Sequence, residues 1–123
     1  MTNKKNIIYW VLTGLIAFVF LGSAVGKFTA NAEALKAAEN FGLDAKSYTL
    51  LGIIEVISVI LFMVPRTGII GTLLLAAYMG GAIATHLEHG ESIVAPCVIQ
   101  SFLFIVAFYR FPELRTKLLT SPS

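Results

Sequence analysis

The chain is poor in the groups that a water-facing surface needs. Of its 123 residues 13% are charged, about half the ~25% of a soluble domain. The net charge of +2 supplies no basic field for nucleic acid. One cysteine, Cys97, excludes an intrachain disulfide and a CxxC redox pair, and leaves a zinc cluster short of thiolates. What the chain has instead is apolar: 57% of its residues are hydrophobic, which argues against disorder as well as against a soluble domain.

The charges are segregated. None falls in Ile7–Val25, Thr67–Thr85 or Ile93–Tyr109, and Ser47–Val64 contains one, Glu55. The four stretches hold 19, 19, 17 and 18 residues respectively. At ~1.5 Å per residue a helix of that length spans roughly 25–29 Å, close to the ~30 Å hydrocarbon core of a bilayer. The pattern therefore predicts an all-α membrane protein in one domain, residues 1–123, with transmembrane helices at about 7–25, 47–64, 67–86 and 93–110. Soluble buried helices are the competing reading, and it fails because these helices are apolar on every side. Short connections join antiparallel neighbours, so the expected architecture is an up-down-up-down bundle.

With the N-terminus cytoplasmic, the inner side carries Lys4, Lys5, Arg66, Arg110, Arg115 and Lys117, against Lys27, Lys36 and Lys46 outside. Six against three places both termini in the cytoplasm. Tyr9, Trp10 and Tyr109 fall at the inner interface and Tyr48 at the outer one, as an aromatic belt would. Lys4 and Lys5, with Ala30-Asn31-Ala32 beyond the first run, resemble a cleavable signal. A run of 19 residues exceeds the ~7–15 of such signals, so the segment is read as a retained helix.

Pro65-Arg66 makes the inner turn and Leu87–Ser92 a polar outer one. The first outer loop is longer and predicts a short surface helix at about 32–41, with Asn31 as N-cap, Glu33 in the first turn and Gly42 as the left-handed C-terminal cap. Leu35, Ala38 and Phe41 share one face, which would lie on the membrane or over the mouth of the bundle, a plain connecting helix being the blander reading. Gly22-xxx-Gly26 and the Ala76, Gly80, Ala84 stripe, with Ala77 and Gly81 beside it, predict close helix packing inside the bundle. A homodimer contact is the alternative.

Glu55 is the sharpest functional signal. It lies about eight residues, ~12 Å, below the outer end of its helix, where an isolated carboxylate is costly and is a functional candidate by default. It must be protonated, paired, or facing a wet cavity. Gly52, Glu55, Ser58, Val59 and Phe62 share one face, which the pattern turns inward. By depth, Tyr78, Gln100, Lys27 and His86 are its candidate neighbours in a polar cavity in the outer half. Each has a plainer reading. Lys27 would snorkel to headgroups, His86 would sit at the interface, Gln100 would bond a neighbouring helix, and Tyr78 would fill the core. Cys97 reads as a packing residue. His86-x-x-His89 with Glu88 and Glu91 lies exposed at a helix end and is not counted as a metal site.

Gly22-Ser-Ala-Val-Gly-Lys27 closing the first helix, Leu51-Gly-Ile-Ile-Glu55 in the second and Ala84-Thr-His86 closing the third resemble the DoxX-like family of small four-helix bacterial membrane proteins. The resemblance runs from about Gly14 to Phe111. It implies a place in the bacterial inner membrane, and Lys27, Glu55 and His86 match the family's polar positions. It also implies a link to membrane redox chemistry, since the wider group includes a thiosulfate:quinone oxidoreductase and oxidative-stress complexes. The single cysteine departs from bundles that run dithiol relays.

The resulting expectation is a subunit of a redox system that binds a quinone or similar lipid-soluble molecule, with no covalent cofactor. Glu55 and His86 would handle protons and form the catalytic pair. Lys27, Tyr78 and Gln100 would hold the ligand, and a redox partner protein would supply electrons. Two alternatives stay open: a proton-coupled carrier or binding protein for a small hydrophobic solute, and a purely structural subunit.

Overall fold

The structure is a computed structural model describing residues 2–29 and 32–119. The Asn31 cap and the Ala30-Asn31 junction lie outside the described residues. Among those described there are six α-helices and no strand: α1 (Thr2–Phe28), α2 (Ala32–Glu39), α3 (Ala45–Met63), α4 (Gly68–Glu88), α5 (Val94–Arg110) and α6 (Pro112–Leu119). Three helices, α1, α3 and α4, are long and apolar enough to cross a membrane by themselves. The bent pair α5 and α6 together makes a fourth candidate span.

Proline sets two of the breaks. The residue before a proline is pushed to extended backbone. Val64 (φ −78°, ψ 121°) and Phe111 (φ −121°, ψ 90°) obey this ahead of Pro65 and Pro112. A single 3-10 turn, Pro65–Thr67, follows the first break, and a 109° bend between α5 and α6 follows the second. Glycine sets two others. Gly42 (φ 77°) and Gly90 (φ 71°) adopt left-handed backbone after α2 and α4. Leu43 N–H then donates to Ala38 O and Gly42 N–H to Glu39 O. Glu91 N–H donates to His86 O and Gly90 N–H to Leu87 O. Both are Schellman terminations, which satisfy orphan carbonyls at a helix end.

Asp44 caps α3. Its carboxylate accepts the Ser47 backbone N–H at 2.7 Å, and that bond holds its pKa below the ordinary value. Because the folded-state pKa is depressed, the contribution is complete above the unfolded value of ~3.9 and is lost as pH falls through the folded value. Protection of the Ser47 amide, taken relative to its intrinsic exchange rate, is expected to fall over that acid window in the native protein. Asp44→Asn should remove the pH dependence. Equal acid sensitivity in both proteins would refute the cap's role.

The helices pack in the order α1, α3, α4, α5, with α5 returning to α1. Each gives the core residues a turn apart: Ile16 and Phe20 with Ala17 beside them, Val59 and Phe62, Leu75 and Met79, Leu103 and Val106. The outward faces are equally apolar. Phe18, Ile57, Leu73, Val98 and Ile105 are all exposed. A helix that is greasy outside as well as inside is built for lipid. Polar residues inside are accommodated locally: Thr13, Ser58 and Thr72 each donate to the carbonyl four residues back, at 2.7–2.8 Å, so no hydroxyl is stranded in apolar surroundings.

The small-residue expectation needs correcting. A methyl added at Gly22, Gly26, Gly80 or Gly81 would meet nothing within 4 Å, so these glycines do not bring helices of the bundle together. The close approaches are elsewhere. Gly71 lies against the backbone of Leu61 and Phe62, Gly68 against the Phe111 ring, and Gly52 against Phe28 and Lys27. The closest approach follows the tight Pro65 turn, which leaves α3 and α4 no room to diverge.

Arg110 closes the opposite end. It is 5% exposed, although the sequence reads as a charge at a membrane boundary. Its Nη1 donates to Phe62 O at 2.8 Å and its Nη2 to Tyr9 Oη at 3.1 Å. The guanidinium also lies over the rings of Tyr9, Phe62 and Phe111, 4.5–4.8 Å from their centroids. Phe62 O is an orphan carbonyl in the last turn of α3, and a cation is favoured there.

Candidate functional site

The five residues on the inward face of α3 are its five buried residues: Gly52, Glu55, Ser58, Val59 and Phe62. Glu55 is 1% exposed. Lys27 turns inward from the last turn of α1 rather than snorkelling away. Its Nζ lies 3.1 Å from Glu55 Oε1 and donates to Ser23 Oγ at 2.7 Å. From α4, Tyr78 Oη donates to the same Glu55 oxygen at 3.4 Å. The ammonium also sits 5.7 Å from the ring centroid of Tyr48 and 5.6 Å from that of Tyr78. Three helices thus meet at one buried ion pair. Gly52 allows this: it sits one turn before Glu55, where a larger residue would strike Phe28 and the Lys27 stem.

The pair lies in the wall of a cavity of about 860 Å³, within the ~300–1,000 Å³ typical of small-molecule sites. Most of the lining is apolar, with Phe20, Leu51, Met79 and Ile99 among it. Its polar positions are Ser23, Lys27, Tyr48, Glu55, Tyr78, Thr85 and His86. The α2 segment roofs one end through Ala37, Ala38, Phe41 and Leu43. Of the two placements open to the apolar face of α2, the bundle mouth is the one occupied. Phe41 packs on His86 with ring centroids 4.9 Å apart. Val19, Ser23, Ala77, Gly81 and Ala95 line the cavity and are exposed.

His86 shares this cavity without touching Glu55. It lies eight residues along α4 from Tyr78, ~12 Å at 1.5 Å per residue. Its Nδ1 is 2.6 Å from Ala82 O. A carbonyl only accepts, so Nδ1 carries a proton. Gln100 stands apart: its Nε2 donates to Ala76 O at 3.1 Å and it is not among the lining residues. Cys97 is a half-buried free thiol. Among the described residues no group of three His, Cys, Asp or Glu is placed to hold a metal.

Tyr48 is a site residue that the sequence reading assigned to the aromatic belt. Its signal was present, since positions 48, 52, 55 and 59 recur on one helical face.

A family model described as the DoxX-like family matches residues 11–109. The chain belongs to the DoxX-like family. That match covers the ion pair and the cavity, and runs from within α1 to the last turn of α5. No curated protein and no solved structure matches the chain. As a DoxX-like protein with apolar spans, it is an integral membrane protein.

Proposed function

We propose that this DoxX-like protein is a single four-helix domain of the bacterial inner membrane, serving a membrane redox system by binding a quinone or a similar lipid-soluble molecule beside Glu55. Its long helices run up, down, up and down with both termini cytoplasmic. The balance of Lys and Arg supports that orientation, with Lys4, Lys5, Arg66, Arg110, Arg115 and Lys117 toward the cytoplasm.

One observation carries the ligand reading: a buried carboxylate with two donors stands in the wall of a largely apolar cavity. The donor set fits a quinone. Its carbonyl oxygen needs a hydrogen-bond donor, which Lys27 Nζ provides with the N–H not given to Ser23 or Glu55, and a reduced ring hydroxyl needs an acceptor, which Glu55 provides. The apolar lining suits a ring and tail. A bound quinone would supply a two-electron, two-proton couple, with electrons coming from a partner protein. Glu55 holds or releases the proton at its carboxylate, which Lys27 and Tyr78 orient by donating to Oε1. His86, between Glu55 and the roofed end, is the next group able to take that proton onward.

The test is extraction of protein purified in mild detergent, with mass spectrometry of co-purifying small molecules, followed by titration with a decyl-substituted benzoquinone. Saturable one-to-one binding is expected. Glu55→Gln and Tyr78→Phe should each weaken it by about tenfold or more, the worth of one hydrogen bond involving a charged group. Only bulk phospholipid in the extract, together with no saturable binding, would overturn the reading and leave the ion pair a structural device. Proton-driven uptake of a solute by proteoliposomes, without quinone binding, would establish the carrier instead.

A further inference from the structure

The Lys27 head is surrounded as a bound ammonium ligand would be. It has a carboxylate at 3.1 Å, a hydroxyl at 2.7 Å and two tyrosine rings with centroids 5.6 and 5.7 Å away. Aromatic faces with an acid are how proteins recognise ammonium groups, because the ring quadrupole attracts a desolvated cation. These partners come from three helices, and three of the four (Tyr48, Glu55 and Tyr78) lie off α1. Only the cation belongs to the end of α1, on a four-carbon stem with 12% of its side chain exposed. The other five lysines, Lys4, Lys5, Lys36, Lys46 and Lys117, are all exposed.

We propose that Ser23, Tyr48, Glu55 and Tyr78 form a cation cage that Lys27 fills as a tethered occupant, so that Lys27 sets the charge selectivity of the cavity. The inference rests on the reading of this cavity as a ligand site. With Lys27 in place, the site presents N–H donors and takes amphiphiles headed by an acceptor oxygen. A hydrophobic ammonium ion meets a cage already occupied, at the high effective concentration of an intramolecular group. With the lysine head removed, the same partners bind an ammonium carried on an apolar tail, and the cavity accommodates the tail.

Two chain-matched probes test this: n-octylammonium and n-octanol, measured by equilibrium dialysis against the purified protein in detergent. Their ratio cancels the contribution of the tail. In the wild type octylammonium is expected to bind no better than octanol. Lys27→Met, which keeps the apolar stem, should raise the octylammonium-to-octanol affinity ratio at least tenfold. Adding Glu55→Gln should return it to the wild-type level. Lys27→Gln serves as a second variant, with thermal melting to show that each protein is folded. An unchanged ratio in a folded Lys27 variant overturns the proposal, as does a gain that survives loss of Glu55. The decyl-benzoquinone titration separates the two ideas. Quinone binding by the wild type without the inversion sinks the cage alone, whereas no binding of any probe sinks the ligand site itself.

Discussion

Gly71→Ala is expected to be the most damaging single-methyl change in this protein. The new Cβ would overlap the Phe62 N and Cα atoms and the Leu61 carbonyl carbon. All three are backbone atoms inside a helix, so no rotamer change relieves the overlap. The two helices must move apart. Overpacking of a well-packed core typically costs ~1–3 kcal/mol, and here the upper end is expected, because Val59, Phe62 and Leu75 lose contact as α3 and α4 separate. The measurement is unfolding in mixed micelles, with Gly80→Ala as control. A methyl at Gly80 meets nothing within 4 Å, so that control should stay within about 0.5 kcal/mol of wild type. Equal effects of the two substitutions would show that α3 and α4 are not in backbone contact.

Arg110→Ala is the second large effect. It removes the donor to Phe62 O and to Tyr9 Oη and the cation over three rings, and leaves a void among them. A hydrogen bond from a charged donor is worth ~1.5–3 kcal/mol, and a desolvated cation–π contact adds about 0.5–2 kcal/mol. A loss on the order of 3 kcal/mol is therefore expected. Arg110→Lys should recover little, because one ammonium cannot span a carbonyl and a phenol as the planar fork does. Tyr9→Phe removes one bond while keeping the ring, and should cost about 1 kcal/mol. Full stability of the Lys variant would mean that charge alone matters at this end.

These two residues also mark what the sequence conceals. The spans were legible because uncharged runs of membrane length leave little alternative. The buried face of α3 was legible because Gly52, Glu55, Ser58, Val59 and Phe62 repeat at helical spacing. Glu55 stood out because a charge inside such a run needs a partner. Depth matching along helices of known rise brought Tyr78, Lys27, Gln100 and His86 near it, and of these Lys27 and Tyr78 are its partners. Arg110 was hidden because a cation ending an apolar run looks the same whether it reaches headgroups or folds back over aromatic rings. Only Tyr9, Phe62 and Phe111 converging from distant positions separates the two. Glycine spacing misled for a similar reason. A stripe shows where a close approach is possible, while the crossing point is fixed by the turn at Pro65 and by neighbours far away in the chain. The helix α6 was missed because eight polar-rich residues after a span carry no periodic signal.

The bond from Arg110 to Tyr9 joins residues 101 positions apart. Synthesis delivers the N-terminal segments first, so α1, α3 and α4 can associate early. The Lys27–Glu55–Tyr78 cluster is then complete while α5 is still absent. Pro96 and Ile99, which line the cavity, arrive only with α5. For that interval the ion pair stands in an unfinished wall, and α5 adds the last side of the cavity when it arrives.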